Sequence, residues 1–376
     1  MSQRPEVIKW MQARRSGASR EAVKPCKGCG ESKAEKARLE KIREAYKAVP
    51  ATPKTPFVII PCRNEGDRLA QTVRCLRTGN ANIKNVVVAD DDSDDGCTKA
   101  LLRARDWQRL RRRGAVTVKC HSLNLTIIRG ERNGVGRARH IAGTFACSQG
   151  ASSLLFMDSH VYANPIELSS LAELAEDMGV IIQPSVLSWD LHSKMHRYGG
   201  NLGWNRNRIL GVGYVKRAST ETLGEVSGLI GANGYAVPRA CWDKMGGWSQ
   251  NCGLWGFNEQ LLSIKSWFCG IKMYCHRDYA AAHFFKKSGG GNLGSGRNSM
   301  VERWRSRYAV LRVLFSEEAF WKVWFPLLHA RFQSPVLEDA MSEPGILAER
   351  DDWLPRRERT EQEFFDTFLP KLEVKL

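Results

Sequence analysis

Two short runs and the polar residues that follow them decide the fold: Phe57-Val-Ile-Ile60 with the turn Arg63-Asn-Glu-Gly66, and Asn85-Val-Val-Val-Ala89 running into Asp90-Asp-Asp-Ser-Asp-Asp95. Each run is continuously apolar and bounded by turn residues, the pattern of a strand buried on both faces of a parallel sheet. Between them, Leu69 to Leu76 has helical spacing. Outward from this pair the alternation continues, with a helix expected from Cys97 to about Arg113 and strands near Val116 and Thr126. A helix from Val135 to Cys147 and a strand from Ser153 to Met157 follow. Repeated strand and helix signals at this interval predict an α/β fold, Rossmann-like, with a doubly wound and mostly parallel sheet.

In such sheets ligands sit beyond the carboxyl ends of the strands, so the residues just after each apolar run carry the chemistry. They are Cys62 to Glu65, Asp90 to Asp95 and Asp158 to His160. Asp158-Ser-His160 ends the run Leu154-Leu-Phe-Met157, and side chains two apart on an extended segment project to one side. A carboxylate and an imidazole can then share one divalent ion, and mixed oxygen and nitrogen ligands suit a borderline metal such as Mn²⁺. His283 is the candidate third ligand, standing before the glycine-rich run 288–296, which reads as a closing lid. The acidic turn lacks the twelve-residue spacing of an EF-hand and suits hydrogen bonds from a base or ribose. Arg137 and Arg139, opening the helix after Gly134-Val-Gly136, are placed to meet a diphosphate at a helix N-terminus.

Length and charge bound the rest. A chain of 376 residues, 43% hydrophobic, can bury a large core. It is expected to divide into a basic appendage over 1–52, a catalytic domain over 53–310 and a helical extension over 311–376. No run approaches the roughly 18 apolar residues of a membrane span, and the N-terminus has no signal-peptide core. Eleven scattered cysteines without framework spacing suit reduced thiols, so a cytoplasmic location, in a bacterium or an infected host cell, and no membrane partner are expected. Cys26 and Cys29 form half of a zinc-ligand set with no second pair nearby. The formal net charge of +17 makes a polyanion such as DNA a candidate partner.

The order of these segments resembles a known family. Glu131-Arg-Asn-Gly-Val-Gly-Arg-Ala-Arg139, Leu155-Phe-Met-Asp-Ser-His160, Tyr198-Gly-Gly-Asn-Leu-Gly-Trp204, Gly231-Ala-Asn-Gly-Tyr-Ala-Val237, Trp255-Gly-Phe-Asn-Glu259, His283-Phe-Phe-Lys286 and Arg297-Asn-Ser-Met-Val-Glu-Arg-Trp304 together resemble the polypeptide N-acetylgalactosaminyltransferases, within the family 2-like glycosyltransferases of the GT-A fold. The resemblance covers roughly residues 56–310. It implies transfer of a sugar, with retention, from a UDP-sugar in the presence of Mn²⁺. It also implies Asp158, His160 and His283 as metal ligands, Asp90 and Asp91 at the nucleoside with Arg63 and Glu65 beside them, and Arg137 on the diphosphate. Trp255, Asn258 and Glu259 are implied at the reacting sugar, although the family's Gly-Gly-Glu-Asn reads Gly256-Phe257-Asn258-Glu259 here. Two acceptors are open: a 5-hydroxymethylpyrimidine base in DNA, as in the viral enzymes that hypermodify genomes and the enzyme that makes base J, and a Ser or Thr hydroxyl of a protein. A basic binding module without catalysis is a third reading, which the intact ligand triad opposes.

Overall fold

A computed structural model describes residues 54–77, 82–132, 134–189, 195–205, 209–231, 233–285, 297–332, 344–374 and 376. The basic appendage, with Cys26 and Cys29, and the run 288–296 lie outside the described residues.

The centre of the molecule is β1 (Pro56–Cys62), flanked in parallel by β2 (Asn85–Asp90) and β5 (Ser153–Met157). Every residue of β1 and β5 is buried, as their unbroken apolar reading requires. β4 (Leu123–Arg129) extends the parallel set beyond β2, and β3 (Ala115–Cys120) closes that edge by folding back antiparallel on β4. On the other side the order runs through β12 (Asn233–Pro238), β7 (Ile181–Ser188), β13 (Met273–His283) and β11 (Leu223–Val226). β12 is antiparallel to both neighbours, whereas β13 and β7 are parallel. The sheet therefore has a parallel heart with an antiparallel strand set into it and antiparallel edges. The short β6 (Val161–Ala163) and β8 (His196–Arg197) pair with β13 and β7, and β9 (Gly200–Asn205) with β10 (Ile209–Tyr214) forms a separate hairpin.

Helices cover both faces: α1 (Asp67–Leu76), α2 (Ala104–Arg113), α3 (Val135–Ser148), α4 (Pro165–Met178), α5 (Arg239–Lys244) and α6 (Asn258–Phe268). α2 starts seven residues later than expected, because 95–102 is spent on a turn. Its anchor is Asp90, whose carboxylate accepts from Ser93 N–H at 2.8 Å and Thr98 Oγ1–H at 2.7 Å. α7 (Arg297–Leu314) runs across the boundary expected at 310. The helices beyond it, α8 (Pro344–Trp353) and α9 (Glu361–Phe368), share the core of the catalytic segment, with Phe364 stacked on Phe268 of α6 at 5.3 Å and Trp267 edge-on at 5.4 Å. Among the described residues no helix is long and apolar enough to cross a membrane, and no described cysteine is in a disulfide.

The start of α3 is wedged against the segment 252–258, which leads into α6. A Cβ on Gly136 would lie 1.9 Å from Cys252 Sγ, and one on Gly134, at φ +92°, would lie 2.4 Å from the Gly253 carbonyl oxygen. Gly134 is therefore dictated by backbone approach and Gly136 by the side chains of Cys252 and Asn258 packed against it. Gly134→Ala should cost about 1–3 kcal/mol through overpacking and backbone strain and lower the calorimetric melting temperature by several degrees. Gly130→Ala, whose Cβ would meet nothing closer than 3.9 Å, should leave it unchanged; equal melting of the two variants would contradict this packing.

Candidate active site

A cavity of about 620 Å³ opens beyond the carboxyl ends of β1 and β5, where an α/β sheet is expected to hold its ligand. Its floor carries Asp158, one residue past β5, with Ser159 and His160. His283 arrives as the last residue of β13, opposite Val161 of β6. A register shift between His276 and Ala280 on β13 re-aims the end of that strand, as bulges beside sites commonly do. The three side chains converge, with one ligand atom from each within 4.8 Å of the others.

Their surroundings suit a bound cation. Glu65, almost fully buried after β1, accepts or shares a hydrogen with His160 Nδ1 at 3.2 Å, which leaves Nε2 as the ring's outward donor. Glu65 thus orients the imidazole of His160. His283 Nε2 is 3.5 Å from Asp158 Oδ2, and its buried Nδ1 has no hydrogen-bond partner. Burial alone would raise the Asp158 carboxyl. The His283 hydrogen bond and the charges of Arg139, His160 and His283 outweigh it and hold the group far below the usual carboxylate range, so Asp158 is an anion at any ordinary pH.

Arg139 is the residue around which this corner is built. It is buried on α3 and donates from Nη2 to Asp158 Oδ1 at 2.9 Å and from Nη1 to Glu259 Oε1 at 3.1 Å, with its guanidinium 4.9 Å over Trp248. Arg137, the arginine implied on the diphosphate, is exposed and outside the cavity lining. The reason is helical phase: residues two apart on a helix differ by about 200°, so 137 and 139 face opposite ways.

Donor-side residues divide in the same manner. Asp91 lines the cavity and accepts from Gly134 N–H at 3.1 Å to both oxygens, a carboxylate set at the N-terminus of α3. Arg63, also in the lining, donates to the carbonyls of Asp91 and Asp92. Asp90, expected at the nucleoside, is instead sealed inside its own turn by Ser93 and Thr98 and lies outside the lining.

At the far wall Trp255 is 43% exposed and carries Arg303 of α7 4.7 Å over its ring. Phe257 adopts a left-handed conformation, φ +59°, which is rare for a bulky residue and concentrates at functional sites. It caps α6 so that Asn258 turns inward, its Oδ1 accepting from Trp248 Nε1–H at 3.3 Å, while Glu259 faces Arg139. The exchanged acid and amide therefore have distinct tasks: Asn258 locks the turn, and Glu259 brings the carboxylate. Arg132, Arg197, Tyr214 and Arg307 also line the cavity; the sequence offers no local signal for them, since they come from distant segments.

Comparison with known proteins agrees with this geometry. Residues 57–217 match the profile of glycosyl transferase family 2. The chain is 26% identical over 242 residues to polypeptide N-acetylgalactosaminyltransferase 8 of Drosophila melanogaster, covering 61% of this chain and 38% of that protein. It is 23% identical over 281 residues to polypeptide N-acetylgalactosaminyltransferase 3 of Homo sapiens, covering 68% and 41%. The chain thus spans about two fifths of the length of these curated relatives. The crystal structure of GalNAc-T7 with UDP, GalNAc and Mn²⁺ superposes at a TM-score of 0.57 and 18% identity, covering 85% of this chain and 57% of that one. Residues 57–217 thus match a glycosyl transferase family 2 domain, and the fold is that of the GT-A glycosyltransferases.

Proposed function

We propose that this chain transfers a sugar from a UDP-sugar to an acceptor hydroxyl, with a divalent cation, Mn²⁺ or a close equivalent, held by Asp158, His160 and His283. The convergence of those three ligand atoms within 4.8 Å, on the cavity floor, is the observation that carries the reading. One carboxylate and two imidazoles form a donor set suited to Mn²⁺. With Glu65, Glu259 and Arg139 added, the fixed charges of the corner sum to minus two, which suits a cation. The relative solved with UDP, GalNAc and Mn²⁺ supports both the nucleotide and the metal.

When bound, the cation supplies Lewis-acid stabilisation to the charge that develops on a departing diphosphate. The chain's own residues do the rest. Asp91 and Arg63 line the end of the cavity that receives the nucleoside. Arg139 holds Asp158 and Glu259 in fixed orientations, so neither carboxylate can rotate away as charge shifts. Glu259 lines the same cavity as the triad and Trp255. In a front-face, retaining transfer it stabilises the positive sugar while the leaving phosphate removes the acceptor's proton; in an inverting transfer it is the base. The exposed face of Trp255 offers an apolar platform to a sugar or an acceptor.

For the acceptor, two observations point differently. The named relatives act on polypeptides, which supports a Ser or Thr hydroxyl. The net charge of +17 exceeds what one diphosphate needs, which supports hydroxymethylated DNA.

Replacing Asp158, His160 or His283 by Ala should abolish Mn²⁺ binding in calorimetric titration, and Glu65→Gln should weaken it about 10–100-fold through loss of ligand orientation. Undiminished affinity in the three alanine variants would refute the triad. Arg139→Gln should cost about 1–3 kcal/mol of stability by leaving the half-buried carboxylates of Asp158 and Glu259 without their partner and abolish turnover, whereas Arg137→Gln should leave both near wild type. Mass spectrometry of parallel reactions with UDP-GalNAc, UDP-GlcNAc and UDP-Glc, offered hydroxymethylated duplex DNA, unmodified DNA and Ser/Thr peptides, should show a mass gain on one acceptor class. Turnover with a non-uridine donor alone would refute the nucleotide assignment.

A further inference from the structure

We infer that α2 and the adjoining end of β4 form a docking track for the phosphate backbone of a nucleic acid, leading to the cavity mouth. Its purpose rests on the transferase reading above; the binding itself does not. Residues 99–113 hold seven basic side chains against the single acid Asp106, a net +6 within a chain of +17. All seven, Lys99, Arg103, Arg105, Arg109, Arg111, Arg112 and Arg113, are exposed. Asp106 is buried and already engaged by Arg105 at 3.8 Å and Arg109 at 3.5 Å. Arg105, Arg109 and Arg112 are spaced i, i+4, i+7 and so stack on one outward face, while Leu110 and Asp106 bury the opposite one.

The helix dipole accounts for only part of this. A cation in the last turn gains about 0.3–1 kcal/mol, but like charges at i, i+4 repel by about 0.2–0.5 kcal/mol per pair, and a stack of them is relieved by a polyanion. Arginine's planar fork grips phosphate in two-point fashion. Among the described residues, none of the large exposed hydrophobics, which include Ile166, Tyr214, Trp255 and Trp321, lies on α2. A helix that seats on a lipid surface needs such an apolar face, so the charge favours nucleic acid over membrane.

The track is continuous with the site. The Gly114 carbonyl, just after the arginine turn, accepts from Arg129 N–H at 2.7 Å at the carboxyl end of β4, beside Asp90 of β2. Arg129 lies against Trp107 of α2, and three residues on, Arg132 lines the cavity. Arg303 and Arg307 line it from α7.

Fluorescence anisotropy of the full chain with a short labelled duplex, between about 50 and 200 mM salt, tests the track. Wild type should bind with an affinity that falls steeply with salt. The triple variant R111Q/R112Q/R113Q should bind at least tenfold more weakly at the low-salt end and flatten the log–log slope by roughly 2–3, about 0.9 for each phosphate no longer neutralised. Its melting temperature and its hydrolysis of free UDP-sugar should match wild type. Unchanged slope and affinity in the variant would overturn the track, as would tighter, arginine-dependent binding to phosphatidylserine vesicles than to duplex. Intact DNA binding in a protein that hydrolyses no UDP-sugar would support the track and overturn the transferase reading alone.

Discussion

The buried guanidinium of Arg139 is the constraint on which the site depends, because it joins three elements that the chain brings together from far apart: α3, the end of β5 and the start of α6. Withdrawing such a charge from water costs several kcal/mol, and that cost is recovered only with close partners and good geometry. Here the partners are the carboxylates of Asp158 and Glu259 and the face of Trp248. The arrangement works in reverse as well: each carboxylate is oriented because the arginine cannot leave. Asp158 is left with one oxygen on Arg139 and the other toward His283, so the same carboxylate serves the fold and the proposed metal triad.

Close packing beneath this bridge is what makes it rigid. Gly134 lets α3 touch the backbone at Gly253 and Leu254, Gly136 lets it close on the side chains of Cys252 and Asn258, and that segment carries Trp255 and the strained Phe257 into the cavity wall. A left-handed Phe costs about 1–3 kcal/mol; it persists because Asn258 is tied to Trp248 and α6 is packed under α9. Strain and charge thus support the same geometry, in which Glu259 points at Arg139.

How far the sequence reveals all this depends on the range of the interaction. Strands β1, β2 and β5 are legible because a doubly buried strand must be apolar throughout, and Asp158 and His160 are legible because they stand where β5 stops. His283 is recognisable as a candidate before a glycine-rich run, although its meeting with Asp158 depends on a register shift in β13 that no local pattern announces. Motif order favours Arg137 over Arg139, whereas helical phase turns Arg139 to the cavity and Arg137 to the outside. Asp90 reads as a pair with Asp91, yet a turn of this shape needs one carboxylate for its own N–H groups. The cavity's outer arginines are not legible, since 132, 197, 303 and 307 meet only in three dimensions.

The acidic turn shows how one stretch separates structural from chemical carboxylates. Asp90 accepts from Ser93 and Thr98, and Asp95 accepts from the N–H groups of Gly66 and Cys97, while Asn64 in the facing turn takes the N–H of Asp94. These bonds close the turn 90–95 onto the turn 63–66, so the two loops behave as one rigid rim. Asp91 is the member whose carboxylate reaches the cavity, and it does so across Gly134 at the start of α3. The rim and the helix that presents Arg139 are therefore joined through the carboxylate of Asp91.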